Sequence, residues 1–196
     1  MLFRVNTEDY ICDKLLELME KKPFEKIKIV ELVEYAEIGR STFYSYFDSI
    51  YAVVQRIEDK FIEGLAKEDK ADPTKYIYSG FDAETNSALR SWVEYTHGNL
   101  KTLKILCGPN GDPAFEVRIT NRLRRQTEAL IKKFNPNAAQ KDISLVSSYV
   151  AGGIAASLKW WANHADDYTD SELLSFAIVE GRQSIEFLKS MQGRKS

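Results

Sequence analysis

RSTFYSYF, residues 40–47, packs Phe43, Tyr44, Tyr46 and Phe47 into eight positions beside one arginine and three small hydroxyl side chains. On a helix, Phe43 and Phe47 are four residues apart and share one face. They are the core positions. The remaining sides carry Arg40, Ser41, Thr42, Tyr44, Ser45 and Tyr46, and no carboxylate follows until Asp48. Such a face suits a DNA major groove: hydroxyls and arginine bond phosphate oxygens, arginine also bonds guanine edges, and methyl or aromatic groups meet thymine methyls. An amphipathic core helix with tyrosines at its edges would explain the stretch better if it stood alone. It does not stand alone. A helix over about Ile29–Ala36, burying Ile29, Leu32 and Val33, precedes it, and the three residues EIG (37–39) separate the two. That arrangement is a helix-turn-helix, which presents its second helix outward.

Outward from this unit the spacing stays helical, and glycine (10) and proline (5) are scarce for 196 residues, so the expected fold is all-α. A first helix over about Glu8–Lys22 follows an Asn6/Thr7 cap, and Pro23 ends it. After Asp48 and Ser49 as caps, a long helix carries Ile50, Val53, Val54, Ile57, Phe61 and Leu65 away from the helix-turn-helix. KEDKADPTK (67–75) reads as a loop. Further helices are expected over about Asp82–His97, Asn99–Cys107, Pro113–Phe134, Ala139–Ala165 and Ser171–Met191, with GPNGDP (108–113) as a marked break. The expected division is a helix-turn-helix DNA-binding domain, residues 1–50, and a C-terminal effector-binding and dimerisation bundle, residues 51–196.

The composition, 44% hydrophobic and 29% charged, is that of a soluble globular protein. No run approaches the roughly 18 apolar residues of a membrane helix, and the N-terminus turns polar too early for a signal peptide. A cytoplasmic location is expected. Cys12, Cys107, His97 and His164 show no metal-ligand spacing, so no metal or other cofactor is expected. Nor is an enzyme, since there is no phosphate-cradling glycine loop and no nucleophile elbow. The two cysteines read as helical packing residues and the two histidines as helix-end residues. Arg118, Arg122, Arg125, Lys132 and Lys133 read as a solvated basic face.

The last two helices combine bulky seam residues with the small cluster Ala151, Gly152, Gly153, Ala155, Ala156 and, opposite, Gly181. Adjacent mid-helix glycines sacrifice roughly 1 kcal/mol each relative to alanine, which close helix packing offsets. A subunit interface through Val150, Gly153, Ile154, Ser157, Ile178, Gly181 and Ile185 is the sharper reading; internal packing is the alternative. Trp92, Tyr95, Phe115, Tyr149 and Trp160 are candidates for lining an effector pocket, since pockets between bundle helices are commonly aromatic.

The segment ICDKLLELMEKKPFEKIKIVELVEYAEIGRSTFYSYFDSIYAVV resembles the N-terminal DNA-binding domain of TetR family transcriptional regulators, with Thr42, Tyr44 and Phe47 matching their T-x-Y-x-x-F signature. KPFEKI, GPNGDPAF and YVAGGIAASLKWW look like segments of a Gram-positive subgroup. The resemblance implies an all-helical homodimer that binds a pseudo-palindromic operator, with Arg40, Ser41, Thr42, Tyr44 and Tyr46 at its contact positions; Ser45 is a further candidate, and Lys28, outside the pattern, offers a phosphate-binding charge. It further implies a repressor released by a small-molecule effector, or a coactivator-like regulator whose C-terminal domain answers to a protein partner. Three positions depart from the pattern. Lys28 replaces the usual Thr or Ser cap of the second helix, Glu37 replaces the turn glycine, and Ile50 replaces the lysine that touches phosphate. Residues 1–60 hold nine Lys/Arg against twelve Asp/Glu, a net charge of −3, so any positive face must be local.

Overall fold

The computed structural model describes residues 6–68, 87–173, 175 and 176, and this part of the chain is helical throughout, with no strand. Helix α1 spans Thr7–Met19, α2 Ile29–Tyr35, α3 Arg40–Tyr44 and α4 Ile50–Glu68. Next come α5, Ser87–Gly98, α6, Leu100–Leu106, α7, Ala114–Phe134, and α8, Gln140–Trp161. A final helix opens at residue 170. Lys67 and Glu68, expected in a loop at 67–75, instead complete α4; residues 69–75 of that loop, and residues 174 and 177–191 of the expected last helix, lie outside the described residues.

Local chemistry sets the helix ends. The Asn6 side chain accepts the Glu8 amide at the start of α1. The helix stops at Met19, three residues before the expected Lys22, because residues 20–22 tighten into a turn ahead of Pro23. Ser49 Oγ accepts the Ala52 amide and opens α4. At the far end of α8, Asn163 Nδ2 donates to the Lys159 carbonyl and His164 Nδ1–H donates to the Trp160 carbonyl. These side chains satisfy carbonyls the next turn would have used. The helix therefore ends at Trp161 rather than near Ala165. Thr169 and Glu172 then form a reciprocal capping box, Oγ1 accepting the Glu172 amide and Oε2 the Thr169 amide, which starts the last helix.

The residues of α1 through α4 fold around Ile11, Leu15, Met19, Leu32, Phe43, Val53 and Val54, all fully buried. This cluster continues along α4 through Ile57, Phe61 and Leu65 to Leu103, Leu106, Phe115, Ala151 and Leu158. Helices α7 and α8 form a long antiparallel hairpin. Ile131, Ile143 and Val146 make a small separate cluster at its turn, and Lys159 pairs with Glu116 at 2.7 Å at its open end. Gly64 on α4 gives the Tyr95 ring a seat, since a Cβ there would lie 2.0 Å from the Tyr95 Oη. The Tyr95 hydroxyl donates to the Phe61 carbonyl at 3.2 Å. Cys12 is buried beside Glu8 and Asp9, burial being the larger cause of a thiol pKa pushed up to about 12; burial and Glu116 push Cys107 up to about 11. Both thiols stay protonated at neutral pH.

Candidate nucleic-acid interface

The turn between α2 and α3 is a Schellman motif. The Ile38 amide donates to the Val33 carbonyl and the Glu37 amide to the Glu34 carbonyl. The motif needs a left-handed residue at its centre, and Glu37 takes that conformation with φ 53°. Gly39, two residues on, has an ordinary extended backbone and needs no such freedom. Tyr10 Oη adds a hydrogen bond from α1 to the Ala36 carbonyl at the end of α2. Thus α3 leaves the turn at a fixed angle.

Within α3 and the turn after it, Phe43 and Phe47 are buried, with ring centroids 6.2 Å apart. Arg40, Ser41, Tyr44, Ser45 and Tyr46 are exposed and Thr42 is half-buried. Tyr44 and Tyr46 keep 58% and 45% of their surface exposed. Ser45 Oγ donates to the Thr42 carbonyl, so part of its capacity is already used. Lys28 precedes α2 and, as its sequence position implies, gives no side-chain cap.

Charge on this unit is sorted by pairing. Lys14 pairs with Glu17 at 2.9 Å, Lys22 with Glu31 at 2.6 Å, Lys60 with Asp9 at 2.9 Å, and Arg56 with Glu8. The Lys21 ammonium lies over the Tyr35 ring, 5.4 Å from its centroid. Lys26, Lys28 and Arg40 are exposed and make no ion pair among the described residues. The acidic excess is therefore spent partly on neutralising cations away from α3, while those flanking α2 and opening α3 stay available.

The sequence did not point to Tyr51. It lies in the first turn of α4, 44% exposed, its ring 6.4 Å from that of Phe24. Its neighbour Ile50 packs against the core, so the position that carries lysine in the family pattern is an apolar anchor here. The signal was an aromatic one residue beyond the missing lysine.

The aromatic residues expected to line a pocket do not gather around one space. Phe115 is fully buried and meets Phe61 edge-on at 6.1 Å; Tyr95 meets the same Phe61 at 5.9 Å. Trp92 is half-buried against the core. Tyr149 and Trp160 stand on the outside of α8, 72% and 44% exposed. Trp160 stacks on His164 at 4.2 Å and meets Tyr168 edge-on. Of the residues expected at a subunit interface, Gly153 and Ser157 are exposed, whereas Val150 and Ile154 pack inward against the chain's own clusters. The outward stripe of α8 instead runs through Leu145, Tyr149, Gly152, Gly153, Ala156 and Trp160, because Val150 and Ile154 lie on the side that covers α7. Ile178, Gly181 and Ile185 lie outside the described residues.

Comparison with known proteins follows from this geometry. The structure superimposes on a TetR transcriptional regulator from Streptococcus agalactiae 2603V with TM-score 0.63 and 18% identity, covering 89% of this chain and 92% of that one. The chain has the TetR-regulator fold. A dihydroxyacetone kinase operon activator, DhaS, matches with TM-score 0.62 and 17% identity over 95% of this chain and 96% of that one. A fatty acid degradation regulator, FadR, from Bacillus halodurans matches with TM-score 0.58 and 15% identity over 90% and 95%. Residues 83–176 match a TetR-type family model described as a transcriptional regulator C-terminal region. No curated protein matches the sequence.

Proposed function

We propose that the chain is a DNA-binding transcriptional regulator that reads a pseudo-palindromic operator as a homodimer, with residues 1–50 as the reading head and 51–196 as the regulatory and dimerising part. The observation that carries this reading is α3 and the turn after it: two buried phenylalanines hold a segment whose other sides present Arg40, Ser41, Tyr44 and Tyr46 to solvent, beside Lys26 and Lys28, which make no ion pair among the described residues. Lys28, Arg40 and the Tyr44 hydroxyl are assigned to phosphates, and Ser41, Thr42, Ser45 and Tyr46 to the groove floor and its edges. The outward stripe of α8, apolar at both ends and small in the middle, supports pairing of two copies by close helix approach. A regulator of this kind works on cytoplasmic DNA.

Selection of duplexes from a random library, followed by fluorescence anisotropy over a salt series, tests the reading. The expected enriched sequence has two-fold symmetry, Arg40→Ala flattens the salt dependence by about one phosphate contact, and Tyr44→Ala weakens binding tenfold or more. No enrichment at low salt would sink the proposal.

Control of the DNA-bound state is read in two ways. A small effector in the C-terminal bundle would release a repressor. The split of the aromatic set between the core and the outer face of α8 favours the second reading, in which Tyr149 and Trp160 belong to a protein surface. Isothermal titration with candidate metabolites, against capture by a purified partner protein, separates the two.

A further inference from the structure

The GPNGDP segment, residues 108–113, does more than join α6 to α7. Asn110 Nδ2 donates to the Met19 carbonyl at 2.8 Å, closing the C-terminal end of α1, and the Asn110 carbonyl accepts the Phe24 amide at 3.0 Å. Phe24 is buried, and Phe24–Lys26 is the 3-10 turn that leads into α2. One residue thereby clasps the reading head at two points separated by a proline turn. Two residues on, Asp112 is itself 8% exposed. Its Oδ1 accepts the Ala114 amide at 2.8 Å and starts α7, while its Oδ2 takes the Arg118 guanidinium at 2.7 Å. Arg118 also bonds Glu58, which is 1% exposed in the middle of α4. The turn has little freedom to reshape, because a Cβ on Gly111 would lie 2.2 Å from the Leu106 carbonyl oxygen.

A six-residue turn is thus bonded on one side to α1 and the approach to α2, and on the other, through Arg118, to the helix that leaves the head. Ordinary loop docking would be served by apolar contacts. A buried charged chain is an expensive way to glue a surface, but it holds direction, since it is lost when its members shift by about an ångström. Among the described residues, Glu58 Oε1 and Arg118 Nε are the buried side-chain polar atoms without a hydrogen-bond partner, so this network is not fully satisfied as it stands.

We propose that the 108–113 turn is the coupling between the reading head and the rest of the chain: Asn110 holds the head, Asp112 acting through Arg118 holds α4, and a displacement of α6 or α7 is passed to α1, α2 and α3 through this turn. Its regulatory meaning rests on the DNA-binding reading; the mechanical link does not.

Amide hydrogen exchange on the full chain without DNA tests it. Asn110→Ala removes one hydrogen bond and should speed exchange of the Phe24 amide about fivefold, leaving the amides of 143–158 in α8 unchanged. Asp112→Asn is the decisive variant, since asparagine keeps an acceptor for the Ala114 amide but loses the charge on Arg118. Although residue 112 does not touch Phe24, Asp112→Asn should speed Phe24 exchange at least twofold if the turn couples. Lys101→Ala, which removes only the exposed pair with Glu20, should change nothing at Phe24. A Phe24 amide indifferent to Asp112→Asn overturns the proposal, and should Asn110→Ala melt the whole chain, Asp112→Asn alone decides. Because no DNA is present, failure here leaves the operator reading standing, and failure to bind DNA leaves the coupling standing.

Discussion

Replacing Arg118 with methionine should destabilise the chain in a strongly pH-dependent way. Arg118 is the partner of both Glu58 and Asp112. Removing one member of a buried pair costs roughly 3–5 kcal/mol, most of it the penalty of leaving the other charge unpaired. Arg118 itself is 30% exposed, so the lower end, about 3 kcal/mol, is the appropriate expectation. For a chain of this size that corresponds to a fall in Tm of about 6–12 °C. Burial raises the Glu58 pKa to about 7 against an ordinary 4.5, with Arg118 pulling it down and Asp112 and Asp59 pushing it up. The native state therefore holds this proton more tightly than the unfolded chain, so the stability contributed by protonated Glu58 is full below about pH 4.5 and is lost as pH rises through about 7. Without the guanidinium the Glu58 pKa climbs further. At about pH 8.5 the variant must either bury a bare carboxylate or take up a proton from dilute solution, and the full loss appears. At about pH 5.5 both proteins hold the proton and only the Asp112 part of the loss remains, roughly a third to a half. Thermal unfolding followed by circular dichroism at the two pH values reads this directly, with Glu58→Gln expected to flatten the pH dependence of the parent. Equal losses at both pH values, or a loss under 2 °C at the higher one, would refute the reasoning.

Other substitutions test other parts of the fold. Glu37→Gly should raise Tm by about 1–4 °C, since glycine adopts the left-handed turn conformation without the penalty of about 0.5–1 kcal/mol or more that a side chain carries there; a lower Tm would remove the strain argument. Gly152→Ala, at an exposed mid-helix position with nothing within 4 Å, should stabilise the isolated chain by about 1 kcal/mol and at the same time weaken dimerisation. Chemical unfolding at low protein concentration and analytical ultracentrifugation report the two effects separately. Leu145→Arg, on the same outward stripe, should give monomer at micromolar concentration with Tm unchanged within about 2 °C when measured below the dimer dissociation range. Phe43→Ala should cost about 3–5 kcal/mol and unfold the head, whereas Tyr44→Phe should leave Tm unchanged and weaken only DNA affinity.

The helix-turn-helix was legible because its information is local. Phe43 and Phe47 sit four apart, Leu32 and Val33 precede them by one turn, and the absence of glycine at 37 announces the strained residue that the structure contains. Asn6 and Ser49 as caps were legible for the same reason. The buried Glu58–Arg118 pair was not, since its members are 60 residues apart. Arg118 sits in a run with Arg122 and Arg125 that reads as a wet basic face. One clue was available: Glu58 lies between Val54 and Phe61 on the apolar side of α4, where an acid demands a partner. The outward side of α8 was only partly legible, for a different reason. That helix is apolar around most of its circumference, so Val150 and Ile154 look as suitable for a neighbouring subunit as Leu145 and Tyr149, and only the position of α7 decides between them. Likewise, no pattern along the chain distinguishes an aromatic that fills the core, such as Phe115, from one that stands outside it, such as Tyr149.

The brevity of α3 bears on how much a single head can know about a sequence. On the operator reading, with Arg40 on phosphate, five helical residues and the short turn after them leave one or two base-discriminating contacts, each worth about 1–3 kcal/mol against a wrong base. Picking one address among the million or more competing sites of a genome takes roughly 4–10 kcal/mol of discrimination. One head supplies a syllable, not a word. If the chain reads DNA as the proposed homodimer, selectivity is assembled by counting two heads at a set separation, so that the spacing between half-sites carries as much of the message as the bases within them.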